Sequence, residues 1–167
     1  MSWRGELRAS AQTIVRRFQA GDETAFRLLN EQWIERYFKI EAKDQSTLSD
    51  PRKTIIEPGG AILLATANGR SVGCCALLRI SDHEFEVAKM AVAPECQGRG
   101  IGRTLLSATI EEARSLGATR LYLETNHVLK PAIALYESLG FRHIDPTNIV
   151  PSVYARADVY MEMFLNA

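Results

Sequence analysis

Seven consecutive residues, Gln97, Gly98, Arg99, Gly100, Ile101, Gly102 and Arg103, bring three glycines and two arginines together between a β-rich run that ends at Val92 and a helical run that opens at Ile101. Glycine has no Cβ, so a ligand can approach the backbone closely there. The first N–H groups of the following helix have no partner within the helix and carry the positive end of its dipole, a setting that favours phosphate. Arg99 and Arg103 add positive charge at the same place. Taken alone, such a segment also suits a tight strand-to-helix turn. It is not a dinucleotide fingerprint, which needs G-x-G-x-x-G on a first βα unit and an acid about 20 residues later. It is not a P-loop, because no Gly-Lys-Ser/Thr follows.

The elements that position this loop are legible from periodicity. Thr13 to Gln19 alternates as a first strand. Ala25, Phe26, Leu29, Trp33, Tyr37 and Ile40 mark one helical face, with Asp22 as its N-cap. Lys43 to Arg52 is polar and reads as a loop or short helix. Ala61–Ala67 and Ser71–Ile80 flank Asn68-Gly69, a hairpin signal. Glu84–Val92 is a strand and Ala93–Gly100 a loop. The helix from Ile101 ends at Gly117. Thr119–Glu124 is a strand, and a helix begins at Pro131 and stops at Gly140. Phe141–Ile144 and Ala155–Leu165 read as the last two strands. The order predicts an α/β fold with one mixed sheet and helices on both faces.

Composition narrows the function class. The chain has 167 residues, 46% of them hydrophobic, which fits one domain over 1–167. Basic and acidic residues balance at 20 each, so nothing draws the whole chain to nucleic acid or to an anionic membrane. Met1 to Gln19 is not built as a secretory signal, and no apolar run approaches the ~20 residues of a membrane span. A cytoplasmic protein is expected. Three cysteines, two of them adjacent, make no disulfide framework, and no Cys/His spacing resembles a zinc site, so no metal is expected.

The segment Gln97-x-x-Gly100-x-Gly102 resembles motif A of the GNAT superfamily of N-acetyltransferases. Glu86–Val92 resembles that family's fourth strand, and Asn126–Phe141 resembles its motif B. The likeness is good over Ala61–Phe141, weaker over the final strand, and general before residue 61. It implies a mostly antiparallel sheet of six to seven strands, splayed between strands 4 and 5, where the pantetheine arm of acetyl-CoA lies. By the same resemblance, Met90, Ala91 and Val92 bond the pantetheine, residues Gln97 to Arg103 hold the diphosphate, and Asn126 touches the cofactor. A homodimer is an expectation of the same kind, since many relatives are dimers.

Transfer to an amine makes three demands. An alkylamine, with a pKa near ~10, must lose a proton. Charge developing on the thioester oxygen needs a donor. The leaving thiolate benefits from an acid. The resemblance assigns these to Glu86, the backbone N–H of Val92 and Tyr136, and leaves a water chain open in place of Glu86. Glu84 shares the strand face of Glu86 and is a candidate for the acceptor side. Tyr37, Glu41 and Asp44 fall on one helical face in the region that usually walls the acceptor, and an ammonium could bind there; a core-and-solvent face fits as well. His83 reads as a surface residue, His127, beside Asn126, as a solvent-facing loop residue or one that approaches the acceptor, Cys96 as incidental, and Lys89 as undecided. The expected partner is a small-molecule or amino-acid amine. The alternative is an acyl-CoA sensor of the same fold without turnover.

Overall fold

The computed structural model describes residues 13–166, so Met1 to Gln12 of the N-terminal reading lie outside the described residues. Seven strands form one sheet: β1 (Thr13–Arg17), β2 (Ala61–Ala67), β3 (Arg70–Arg79), β4 (Glu84–Val92), β5 (Arg120–Thr125), β6 (Arg142–His143) and β7 (Val159–Phe164). The helices are α1 (Glu23–Tyr37), α2 (Ala42–Ser49), α3 (Ile101–Ser115) and α4 (Lys130–Ser138). The sheet order is β1-β2-β3-β4-β5-β7-β6, and the β4–β5 pair is parallel while the others are antiparallel.

The β2–β3 hairpin turns on Asn68 and Gly69, both at positive φ (53° and 74°), as a two-residue primed turn requires. Residues alternate between two cores. Leu63, Cys75, Leu77, Phe85, Val87 and Leu121 face Leu105, Leu106 and Ile110 of α3. Ile62, Leu64, Cys74 and Ala76 face Phe26 and Leu29 of α1 and Leu48 of α2. Helices thus cover both faces, as expected for strands that are apolar on both sides.

Two features of the sheet create a site. First, β4 bulges. Cys74 pairs with Ala91 and Ala76 with Ala88, so Lys89 and Met90 together stand opposite Cys75. Lys89 takes φ 53°, a left-handed conformation in a non-glycine residue. An extra residue inverts the alternation beyond it. Phe85 and Val87 face α3, whereas Ala91 and Ala93 belong to the opposite core, and Met90 and Val92 now pack on the α3 side. Second, β4 pairs with β5 only over Glu84–Glu86 against Arg120–Tyr122. Beyond that point the two strands part, because β5 continues with β7 to Thr125 opposite Val159.

Two local expectations needed correction, and the choice between loop and short helix after residue 41 is decided. Asp22 occupies the N-cap position of α1, but its carboxylate makes no cap; it accepts from Arg16 at 2.7 and 3.1 Å and from the Gln19 N–H at 2.7 Å. The polar stretch after residue 41 is a true helix, α2, stabilised by a capping box between Glu41 and Asp44. The last strand begins at Val159, since residues 155–158 belong to the connection from β6.

Candidate active site

The gap between β4 and β5 opens into a cavity of about 420 Å³. Its floor is β4 from Glu86 to Val92, and one wall is Trp33, Ile34, Tyr37 and Phe38 at the end of α1. The opposite wall is Glu124 and Asn126 of the β5 end, with Leu135 and Tyr136 of α4. Gln97, Gly98, Ile101 and Gly102 close one end, and Tyr154 and Arg156 from the β6–β7 connection close the other.

The glycine loop fits a diphosphate on its own geometry. Gly98 and Gly100 have φ of 77° and 80°, and no protein atom lies within 4 Å of where a Cβ would stand on either. A Cβ on Gly102 would touch Met90 and Leu135 at 3.5 and 3.6 Å, so glycine also widens the channel between β4 and α4. No side chain caps the start of α3. Its first amides therefore point to solvent beside the exposed Arg99 and Arg103. Arg103 donates to Ser138 Oγ at 2.8 Å, linking the loop to α4.

The backbone at the end of β4 is directed into the gap. Ala93 N–H donates to Val72 O across the β3 ladder at 2.8 Å. Peptide groups alternate along a strand, so the N–H and C=O of Val92 point the other way, toward β5. Gln97 Nε2 donates to Val92 O at 3.1 Å and fixes the loop to this strand end.

Glu86 lies on the other side of the bulge, on the α1 face, half-buried in the cavity wall. No hydrogen bond holds its carboxylate among the described residues. Burial, and then the nearby charge of Glu124, push its pKa up to about 7; Lys89 and Lys43 offset this in part. Tyr136 lines the same cavity, its ring edge-on to Phe141 at 6.0 Å, and burial raises its phenol above the ordinary value.

Other candidates stand elsewhere. Glu84 shares the face of Glu86, but it lies at the far end of β4, outside the cavity lining, and pairs with Arg120 at 3.3 Å. Glu41 caps α2 and accepts from Arg156 at 3.2 Å and from the Ala155 N–H at 3.0 Å. Asp44 is fully buried and bound to Lys89 at 2.6 Å and to both Arg156 nitrogens at 2.7 Å. Burial alone would raise its pKa, but hydrogen bonds from Arg156 and Lys89 hold it at about 2. Of the three residues expected on one ammonium-binding face, only Tyr37 reaches the cavity; the two acids are taken up by the protein's own cations. Asn126 reaches the cavity too, with its amide committed to Arg156 O at 2.7 Å and to the Val128 N–H at 2.9 Å. His83 meets Gly117 O at 3.0 Å, and His127 pairs with Asp158, both exposed. Cys96 is in the lining.

Sequence reasoning left Lys89 undecided and missed Glu124, Tyr154 and Arg156. Glu124 accepts from Tyr122 OH at 2.8 Å and from Ser152 Oγ at 2.7 Å. Tyr154 OH accepts from Lys89 at 3.0 Å, and its ring lies under the Arg156 guanidinium at 4.5 Å. For Glu124 a signal existed, since it sits two residues before Asn126 at the end of a predicted strand. For Tyr154 and Arg156 none did, because they belong to an irregular connection.

The profile of the acetyltransferase (GNAT) family matches residues 23–141, most of the described chain. The chain belongs to this family. It is accordingly an acyltransferase that uses acetyl-CoA. It is 32% identical over 145 residues to Uncharacterized N-acetyltransferase YjgM of Escherichia coli K12, covering 82% of this chain and 86% of that protein. Over 94 residues it is 36% identical to the ribosomal protein bS18-alanine N-acetyltransferase of Escherichia coli, 56% of this chain and 63% of that one. Among solved structures, a GNAT-family acetyltransferase from Staphylococcus aureus superposes with a TM-score of 0.83 over 93% of this chain and 100% of its own, at 20% identity. The structure of yncA from Salmonella typhimurium with its cofactor acetyl-CoA superposes with a TM-score of 0.71 over 94% and 96% of the two chains, at 22% identity. Similarity to the two structures extends the fold assignment over the strands that follow residue 141. Among the described residues no helix is long and apolar enough to cross a membrane.

Proposed function

We propose that this acyltransferase moves the acetyl group of acetyl-CoA to the primary amine of a small molecule, as one domain, by direct attack of the amine on the thioester. The observation that carries the reading is the unpartnered Glu86 carboxylate, raised to about 7 and facing the same cavity as the N–H of Val92 and the ring of Tyr136.

Residues Gln97 to Arg103 would hold the diphosphate on bare amides, with Arg99 and Arg103 as counter-charges. Met90, Ala91 and Val92 would extend β4 along the pantetheine. Acetyl-CoA supplies an activated acyl group there. The Val92 N–H, aimed into the gap, donates to the thioester oxygen as charge develops on it. Glu86, titrating near 7, takes a proton from the incoming ammonium at neutral pH, where both its forms are populated. Tyr136 stays protonated and donates to the departing sulfur. Trp33, Tyr37 and Phe38 wall the acceptor side. A sensor without turnover would not need a carboxylate held at that pKa beside the amine.

The test is thiol release from acetyl-CoA against a panel of primary amines. Release that depends on the amine, with an acid limb in kcat/KM near pH 7, is expected. A panel that leaves the thioester intact while CoA binds would refute the transfer reading and leave the sensor.

A further inference from the structure

The charges around the acceptor end of the cavity do not balance at random. Four charged side chains, two of each sign, line the cavity: Glu86, Glu124, Lys89 and Arg156. The two cations are already matched by the protein's own groups. Lys89 is only 6% exposed and is bound to Asp44 at 2.6 Å and to Tyr154 OH at 3.0 Å. Arg156 is bidentate on Asp44 at 2.7 Å and reaches Glu41 at 3.2 Å. The Tyr154 ring lies against both, 4.7 Å from the Lys89 ammonium and 4.5 Å from the Arg156 guanidinium. The two carboxylates that remain have no cation in contact among the described residues. Glu124 accepts only from the neutral Tyr122 and Ser152 hydroxyls, and Glu86 accepts from nothing among the described residues. Lys43, exposed on α2, acts on Glu86 from outside the lining.

Resting on the transfer reading above, we propose that the acceptor is a primary ammonium on an uncharged apolar or aromatic body, with no carboxylate beside the amine, and that Glu124 is the residue that holds its charge while Glu86 takes its proton. An ammonium between the two carboxylates relieves their repulsion and gains two charge-assisted hydrogen bonds. A neighbouring carboxylate on the substrate would meet the same two acids, and the cations that could have received it are already committed to Asp44, Glu41 and Tyr154. Like charges placed together at a desolvated contact repel each other and weaken binding. The Trp33, Tyr37 and Phe38 wall supplies apolar area for the body of the molecule rather than further polar groups. Glu124 is suited to binding, because the Tyr122 and Ser152 hydroxyls hold its two carboxylate oxygens in place.

Phenethylamine and phenylalanine differ by the carboxylate alone, so they separate the alternatives. Their affinities are measured by calorimetry with the intact protein, with CoA present and without it. Phenethylamine is expected to bind at least about tenfold more tightly than phenylalanine, and Glu124→Gln to weaken the amine about tenfold while leaving phenylalanine no weaker. Glutamine keeps a carbonyl for one of the Tyr122 and Ser152 hydroxyls and offers its NH2 to the oxygen of the other, so CoA affinity and thermal unfolding should stay put. In active protein the same variant should move the acid limb of kcat/KM to lower pH, because the groups facing Glu86 are Glu124 and Tyr122 on β5, Lys89 on β4 and Lys43 on α2, and Glu124 is the one that raises it by its charge. Equal or tighter binding of phenylalanine, no binding of either, or an amine affinity indifferent to Glu124→Gln would overturn the proposal. Loss of CoA binding or of all amine-dependent thiol release in the parent protein would instead strike the transfer reading.

Discussion

The role proposed for Glu86 would set that side chain against the fold that holds it. Its folded pKa, about 7, lies above the ordinary 4.5. A carboxyl raised in this way contributes most stability while protonated in both states, below about pH 4.5. It contributes progressively less as pH rises through 7. Glu86→Gln removes that cost. The variant should therefore be more stable than the parent by about 2 kcal/mol at neutral pH, with the gain vanishing as pH falls toward 4.5. Its amine-dependent turnover should drop by about a hundredfold or more, with loss of the acid limb. Chemical unfolding across pH, beside steady-state rates, checks both halves. A variant that is inactive but not stabilised would mean that the carboxylate is less buried than the structure has it. Tyr136 makes a different case. Burial raises its phenol well above a thiol of pKa about 8.5, so complete proton transfer to the leaving sulfur is unfavourable and its contribution is a hydrogen bond to developing charge. Tyr136→Phe should lower kcat about 10- to 100-fold with CoA affinity little changed. A loss of CoA affinity as large as the loss in kcat would reassign the residue to packing against Phe141.

At the scale of elements, the start of α3 offers the sharpest separation of charge from backbone strain. Gly100 holds φ 80° with open space where a Cβ would be. Gly100→Ala strains the backbone, at about 1 kcal/mol of stability, but adds no charge and fills no occupied volume. Gly100→Glu adds the same strain plus a carboxylate at the proposed diphosphate position. Calorimetric titration with CoA should find binding retained in the first variant and lost in the second. Binding retained in both would displace the diphosphate from this loop. This region was legible in the sequence because glycine spacing and a helix start are local signals. The β2–β3 hairpin was legible for the same reason, through Asn68-Gly69. The β4 bulge was not. Period-two reading places Glu86 and Val92 on one face, whereas the bulge at Lys89, at positive φ, puts the Glu86 side chain on the α1 face and the Val92 side chain on the α3 face, while the Val92 N–H stays in the sheet plane, directed into the gap. Nothing in Ala88-Lys89-Met90 announces a left-handed residue. Asp44 was misread for a related reason. Spacing put it on a polar helical face, but its partners come from β4 and from a connection more than a hundred residues away, which no local pattern reports.

Across the whole molecule, Asp44 is the point where three distant segments are tied together. It joins the capping box of α2, the bulge residue Lys89 and, through Arg156, the β6–β7 connection that closes the acceptor end. Its pKa of about 2, against an ordinary 3.8, has the sign opposite to that of Glu86. The stability it contributes is fully present above about pH 4 and is lost as pH falls through 2. By the linkage relation that is about 2 kcal/mol, which a titration of unfolding free energy against pH should show as a fall confined to the acid side. The variant Asp44→Asn removes the charge while Lys89 and Arg156 stay buried, and breaking a buried pair from one side costs about 3–5 kcal/mol. Part of that cost should be avoided by release of the connection carrying Tyr154 and Arg156, since these two residues are held in place mainly through Asp44, Glu41 and Lys89. The expected signature is faster amide exchange over residues 150–158 with the β2–β3–β4 ladder still protected, together with weaker acceptor binding and near-normal CoA binding. If exchange rose uniformly across the sheet instead, Asp44 would be a keystone of the core rather than the clasp of the acceptor end.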